Sequence, residues 1–425
     1  MTPAERQVLE QVLQLTDDMV AFTQALVRVP TINPPGGCYA ECAELIAGKL
    51  CDFGYEVERL PAEGTPEHTR EYPRINVVGV LGTGGPVLHF NGHYDVVPPG
   101  SGWSVDPFSA ELRDGRIFGR GTCDQKAGIA ASIFATEAIR RASVPVTGTI
   151  EQSVTPDEES GGFAGVAWLC DAGRLARDRQ RYVVITEPLD PERVCIGHRG
   201  AYWFELTTIG RVGHGSMPGL AVNAAEQMAR LVGAFEERLK PLLAQRTSIA
   251  PVEPPEARHP SLNLNSIHAG QGLGGWQTPA VPDRCTAMFD RRFIHEESFE
   301  EVRAEIVRIL ETERVRYELR DVMRVDPLLG SRDGHLAQTA AGAIEDALGV
   351  EPAFIASPGT YDQKHVVRRG RITECIGYGP GRLVLAHQPD EHVAVADLVA
   401  SAQVMALLIL RLLGAPSSPG EDEGC

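Results

Sequence analysis

Short apolar runs of buried-strand type alternate with amphipathic helical patterns along the first half of the chain, and this alternation restricts the possible folds most. INVVGVLG (75–82), PVLHFNGH (86–93), GTIEQSVTP (148–156) and RYVVITEP (181–188) read as strands, and YEVERL (55–60) alternates like one. ERQVLEQVLQLTDDMVAFTQALVRV (5–29), YAECAELIAGKLCDFG (39–54), AGIAASIFATEAIRRA (127–142) and GFAGVAWLCDAGRL (162–175) repeat apolar residues at helical spacing. INPPGG and Gly54 stop the first two helices. Strands buried on both faces need helices to cover them, so the pattern predicts a layered α/β fold.

From Arg199 the pattern changes. AYWFELTTIGR, SLNLNSIHAG, DRCTAMFDRRFI and RVRYELRDV read as strands, with helices in NAAEQMARLVGAFEERLKPLL and FEEVRAEIVRILETE. The order βαββαβ is a complete ferredoxin-like unit. After Asp326 the α/β pattern returns, with a helix in HLAQTAAGAIEDALG, a short strand in RITECIGYG and a buried final helix around VMALLILRLLGA. A chain of 425 residues exceeds one ordinary core. The expected organisation is one α/β domain, residues 1–198 and 326–425, interrupted by a smaller domain, residues 199–325. SIAPVEPPEARHP reads as a loop of the insert, and the polar tail GAPSSPGEDEGC as a frayed end.

Charge narrows the partners. Lys and Arg total 40 against 57 Asp and Glu, a formal charge of −17. Phosphate-backbone binding needs clustered cations and anionic membranes need a basic amphipathic stretch, so neither nucleic acid nor membrane is an expected partner. A small molecule is, and the cytoplasm is the expected compartment. The N-terminus MTPAERQVLEQVLQ has early acidic residues and no apolar core, which does not read as a signal peptide. The nine cysteines are scattered with no CxxC pair and read as reduced thiols, Cys38 and Cys42 sharing one helix face in core packing. GQGLGG (270–275) lies between two strands of the insert with no helix after it and reads as a hairpin turn.

Several loops, expected to follow strands or to lie near the C-terminus, are crowded with metal-ligand types. HFNGHYDVVPPG presents His93 and Asp95, GRGTCDQKAG presents Asp124, TPDEESGG presents Glu158 and Glu159, ITEP presents Glu187, and LAHQPDEHV presents His387. The carboxyl ends of sheet strands are where α/β folds build sites. So many carboxylates in one place repel unless cations compensate them. Two imidazoles and three carboxylates suit a pair of divalent ions bridged by one carboxylate. With no thiolate present, Zn²⁺ is the first expectation, and Mn²⁺ or Co²⁺ fits the same donors.

These motifs (GHYD, GRGTCDQKAG, DEESGG and, in the insert, GHGSMP) resemble those of the M20 metallopeptidase family, the deacylase and carboxypeptidase group, from about Asp17 to Leu413. The resemblance implies a mixed-sheet dinuclear metallohydrolase domain whose inserted βαββαβ unit is a lid and makes a homodimer. It assigns His93 and Glu187 to one ion, Glu159 and His387 to the other, and Asp124 to the bridge. Asp95 would orient His93, Glu158 would act as general base, and His214 would hold the oxyanion in the partner's site. It also implies a cis peptide after Asp124. Arg292 and Asn265 match positions that hold a substrate carboxylate, and strand alternation leaves only one of Arg291 and Arg292 as reader. Gly359 and Thr360 of SPGTYDQKHV match a glycine-rich substrate loop, from which Tyr361 departs, a small residue being usual there. The expected activity is hydrolysis of the amide bond of a small N-acyl amino acid by a metal-bound hydroxide. The alternatives are a dipeptide, a carbamoyl compound, deamination of an aromatic amine, or a silent metal-binding homologue.

Overall fold

The computed structural model describes residues 1–270 and 279–414, so the GQGLGG turn (all but Gly270), the tail beyond Gly414 and Cys425 lie outside the described residues. The chain divides into two compact units. The larger takes Met1–Ile196, Gly330–Phe354 and the chain from Tyr361 onward; the smaller takes Gly197–Leu329 with Ile355–Thr360.

The larger unit is built on a mixed sheet. Its strands lie side by side in the order Glu56–Pro61, Ile75–Leu81, Thr149–Thr155, Val87–His93, Tyr182–Ile185, Cys375–Gly377 and Arg193–His198. Val87–His93 runs parallel to both its neighbours, with His93 opposite Thr155 and Asn91 opposite Ile185. Three adjacent strands therefore end at one edge, and the loops carrying His93, Glu158–Glu159 and Glu187 leave from it. Both faces are covered: Thr149–Thr155 is buried at every position although its sequence, TIEQSVT, is largely polar. Its polar groups are satisfied across the sheet, Glu151 Oε2 lying 2.9 Å from His89 Nδ1 and Ser153 Oγ 2.7 Å from His89 Nε2.

Helices complete the layers. The first expected helix is two, Pro3–Gln14 and Thr16–Val27, because the chain turns at the buried Leu15 (φ −89°, ψ 2°) and the Thr16 hydroxyl donates to the Leu13 carbonyl at 2.8 Å. A capping box closes the start, Thr2 Oγ1 accepting from the Glu5 N–H at 3.1 Å and Glu5 from that of Thr2 at 2.6 Å. The final helix, Val395–Leu413, is long and apolar enough to cross a membrane by composition. More than half of that span is buried, against helices Ala127–Arg141 and His335–Leu348. Cys42 is core, but Cys38 is exposed ahead of its helix with φ +59°, so the two do not share a packed face. The strand Ala353–Ser357, unmarked by any pattern in the sequence, is also present.

The smaller unit is an antiparallel sheet in the order Ser261–Ala269, Arg284–Phe293, Gly200–Ile209, Tyr317–Val325. The helical stretch Ala224–Leu243 and the helix Phe299–Thr312 pack on it through Met228, Leu231, Phe235, Ile306 and Leu310. Its second and third strands in sequence lie on one side of the first and its fourth on the other, which is the order of a ferredoxin-like βαββαβ unit.

Helix Ala127–Arg141 approaches the sheet through Gly128. A β-carbon there would lie 2.1 Å from the Thr186 carbonyl oxygen, directly after the Tyr182–Ile185 strand. Gly128→Ala is expected to destabilise the protein by about 1–3 kcal/mol, as overpacking does. Urea unfolding measures this, and an unchanged midpoint would mean that the helix shifts without cost.

Candidate metal centre

His93 ends its strand fully buried, and its Nδ1 lies 3.0 Å from the Asp95 carbonyl oxygen. With Nδ1–H donated there, Nε2 points at Asp124 Oδ1, 3.1 Å away. The Asp95 carboxylate is a strut. It accepts from Asn33 Nδ2 at 2.8 Å and from the backbone N–H groups of Glu158 and Glu159 at 3.1 and 3.2 Å, and lies 3.4 Å from His93 Nδ1. One buried carboxylate thus ties the His93 strand end to the turn Glu158–Ser160.

That turn faces two ways. Glu159 Oε1 lies 3.1 Å from His387 Nε2, which is also 3.5 Å from Asp124 Oδ2. Glu158 Oε1 instead accepts from the buried Lys364 ammonium at 2.9 Å. Glu187, after its strand, accepts from Gln125 Nε2 at 2.6 Å, and Gln125 Oε1 accepts from Thr186 at 2.7 Å. The Asp124–Gln125 peptide is cis. Asp124 does not leave the main sheet. It follows Arg116–Phe118, a strand of a small separate sheet, and His387 precedes His392–Ala394 of the same sheet.

The electrostatics follow from crowding. Burial and the Asp124 charge push the Glu187 carboxyl well above the carboxylate range, and the same causes, opposed by His387, raise Glu159 to about 7. Burial also disfavours charge on Asp124, but hydrogen bonds from His387 and His93 outweigh it and hold its pKa below the usual value. Desolvation alone would lower both imidazoles, that of the buried His93 and that of His387, whose ring is half exposed. The neighbouring carboxylates reverse this, placing His93 well above its ordinary pKa and His387 at about 11. The donor set fits divalent ions: ligand atoms of His93, Asp124 and Glu159 all lie within 4.8 Å of one another, His387 contacts Asp124 and Glu159, and Glu187 reaches the group through Gln125.

Residues 89–411 match peptidase family M20/M25/M40. The chain belongs to this family. It is a metal-dependent amidohydrolase of the M20 type. It is 30% identical over 403 residues to the succinyl-diaminopimelate desuccinylase of Thioalkalivibrio sulfidiphilus, covering 93% of this chain and 99% of that one. To the enzyme of the same name from Methylorubrum extorquens it is 33% identical over 392 residues, covering 89% and 94%. Its fold is that of a di-peptidase from Saccharomyces cerevisiae, with a TM-score of 0.81 at 15% identity and coverage of 98% and 100%. A dinuclear metal-binding M20 peptidase of Bacillus subtilis matches with a TM-score of 0.63 at 15% identity, covering 94% and 99%.

The remaining candidate residues of this M20 chain lie in the smaller unit. His214 is exposed, its Nδ1 2.7 Å from Ser216 Oγ and 3.2 Å from the Ser216 backbone nitrogen. Arg291 is fully buried and pairs with Glu297 at 2.7 Å, while Arg292 stands on the opposite face and pairs with Asp290 at 2.8 Å. Asn265 sits at a bulge and accepts from Asn263 at 2.6 Å. The Gly359 N–H donates to Ser357 Oγ at 3.2 Å, and Thr360 follows it at the end of Ile355–Thr360. Tyr361, in the larger unit, is buried and donates to Gln363 Oε1 at 2.8 Å. Sequence reasoning passed over Asn33, Gln125, Lys364 and Glu391. All four act through side-chain contacts to segments remote in sequence, and no local pattern marks them.

Asp95→Ala removes the acceptor of the half-buried Glu158 and Glu159 backbone N–H groups and one of the two acceptors of Asn33 Nδ2. It is expected to cost about 2–4 kcal/mol of stability, read by urea unfolding of metal-free protein. A loss below about 0.5 kcal/mol would mean that water replaces the carboxylate at no cost.

Proposed function

We propose that the chain hydrolyses the amide bond of a small N-acyl amino acid or related carboxylate with two divalent ions, Zn²⁺ first and Mn²⁺ or Co²⁺ as fitting substitutes. The observation that carries this reading is the Glu158–Ser160 turn. It directs Glu159 into the His93–Asp124 cluster and leaves the adjacent Glu158 outside it, paired with Lys364. His93 and Glu187 would hold one ion, Glu159 and His387 the other, and Asp124 would bridge them. When bound, the ions supply polarisation of the substrate carbonyl and lower the pKa of the attacking water.

The chain's own residues do the rest. Asp95 keeps the His93 ring and the Glu158–Glu159 turn in register. Glu158 takes the proton from the attacking water and returns it to the leaving nitrogen. The Ser216 N–H donates to His214 Nδ1, so the ring's own proton sits on Nε2. That leaves His214 an outward donor of the kind an oxyanion requires. Arg292, Asn265, Gly359 and Thr360 would meet the substrate carboxylate. The unit around residues 199–325 would act as lid and form a homodimer in the cytoplasm, each His214 completing the partner's site.

The desuccinylases, 30–33% identical over nearly their whole length, make succinyl-diaminopimelate the first substrate to try. Metal-loaded protein should hydrolyse it or another N-acyl amino acid in a panel that includes dipeptides and carbamoyl compounds. Turnover of dipeptides alone would move the reading to a peptidase. Glu158→Gln should keep its metal content and lose about 10²–10⁴ in turnover; near-normal turnover would remove Glu158 from the chemistry. His214→Ala should lose about 10²–10³, the scale of one oxyanion donor. Mixed with Glu158→Ala protein it should partly recover, since heterodimers carry one site with both residues intact. No recovery after confirmed subunit exchange would confine His214 to its own subunit.

A further inference from the structure

Two of the five candidate ligands, Asp124 and His387, do not stand at the end of a main-sheet strand, so the sheet does not set the distance between them. One buried side chain, on the segment that carries His387, fastens the segment that carries Asp124. Glu391 is fully buried, and its Oε1 accepts from the backbone N–H groups of Gly121, Cys123 and Asp124 at 3.0, 2.9 and 3.1 Å. Its other oxygen accepts from Arg120. Its own carbonyl accepts from the Gly119 N–H at 2.8 Å. Arg120 also donates to the carbonyls of Gln388 at 3.4 Å and Pro99 at 3.2 Å, its guanidinium lying 5.2 Å from the Trp103 ring centre.

The segment His387–Glu391 and the segment Gly119–Asp124 are therefore laced together at the side chain and at the main chain. His387 holds a left-handed backbone (φ +63°), which leaves its own segment little freedom to compensate for a shift. Where such a lace ends, His387 Nε2 meets Asp124 Oδ2 at 3.5 Å. Three N–H groups converging on one carboxylate oxygen, with Arg120 balancing the charge, make a contact that a neutral side chain reproduces only in part.

We propose that Glu391 is a positioning residue that sets the separation of Asp124 and His387, and through it the affinity of the ion those two would share with Glu159. The proposal rests on the two-ion reading above. Among carboxylates around the cluster, Asp95 orders His93 and Glu159, two of the three ligands that leave the sheet, and Glu391 orders the pair that does not.

Cobalt(II) titration tests this, followed by calorimetry and by the visible d–d absorption of the bound ion. The wild-type protein should take up two equivalents. In Glu391→Gln, which keeps the shape but turns an amide toward Arg120, the first equivalent should be unchanged. The second should bind about 10–100-fold more weakly, the range for contacts that orient a ligand, with its absorption altered. The double variant Arg120→Leu, Glu391→Leu removes both buried charges. It should unfold cooperatively, as pairs replaced by apolar residues often do, and still bind the second cobalt weakly. It carries the test if Glu391→Gln does not fold. Two unchanged equivalents in Glu391→Gln, or a tight second equivalent in the double variant, would overturn the proposal. A wild-type protein that takes up no second cobalt would overturn the two-ion reading and this one with it, before any variant is made.

Discussion

Asp124, Glu159 and the buried Glu187 gather carboxylates close enough for their charges to repel, and the architecture of the larger unit answers that repulsion. Burial and mutual charge raise the pKa of Glu159 and Glu187, while the neighbouring carboxylates raise that of His93 and His387. Such an arrangement holds together only if the backbone gives it no way to relax. The ends of three parallel strands supply part of that rigidity, since their pairing fixes His93 opposite Thr155 and Asn91 opposite Ile185. A divalent cation at the same point would neutralise these carboxylates directly.

What the sheet does not hold, buried polar side chains do. Asp95 binds the Glu158–Glu159 turn by two backbone N–H groups, and Glu391 binds the Asp124 segment by three. Lys126 is buried beneath that segment and donates to the carbonyls of Leu26 and Val29 at 2.9 and 2.8 Å, fixing it to the end of the second helix. Each of these groups is ionic and buried, and each is satisfied by several partners, the condition under which a buried charge is tolerated. Lys364 gives Glu158 the same treatment from a different segment. The neighbouring acids Glu158 and Glu159 therefore face different partners although they share one turn.

The layered α/β character, the βαββαβ order of the smaller unit and most of the ligand types were legible in the sequence, because each is a local signal. Period-2 alternation along Arg284–Phe293 decides that Arg291 goes inward and Arg292 outward, with no knowledge of the neighbours. The motifs around His93, Asp124 and Glu158–Glu159 are short and place ligand types beside glycine-rich turns. The break at Leu15 was not legible, since both halves carry the same helical periodicity and the interruption lies in one residue's backbone. The polar strand Thr149–Thr155 read as an apolar run for a related reason. Its burial depends on His89 and Gln180, which only the pairing of strands brings to Glu151.

The sequence by itself determined most of the inventory: the majority of the strands and helices, which faces they bury, and which side chains are available to bind a cation. Those follow from hydrophobic period, turn residues and side-chain chemistry, all of which act over a few residues. Only the tertiary structure decided the distances. Asn33 reaches Asp95, Lys364 reaches Glu158 and Glu391 reaches Asp124 from 62, 206 and 267 residues away along the chain. A separation of that length carries no local pattern, because the contact exists only once the sheet and the packed helices have brought the segments together.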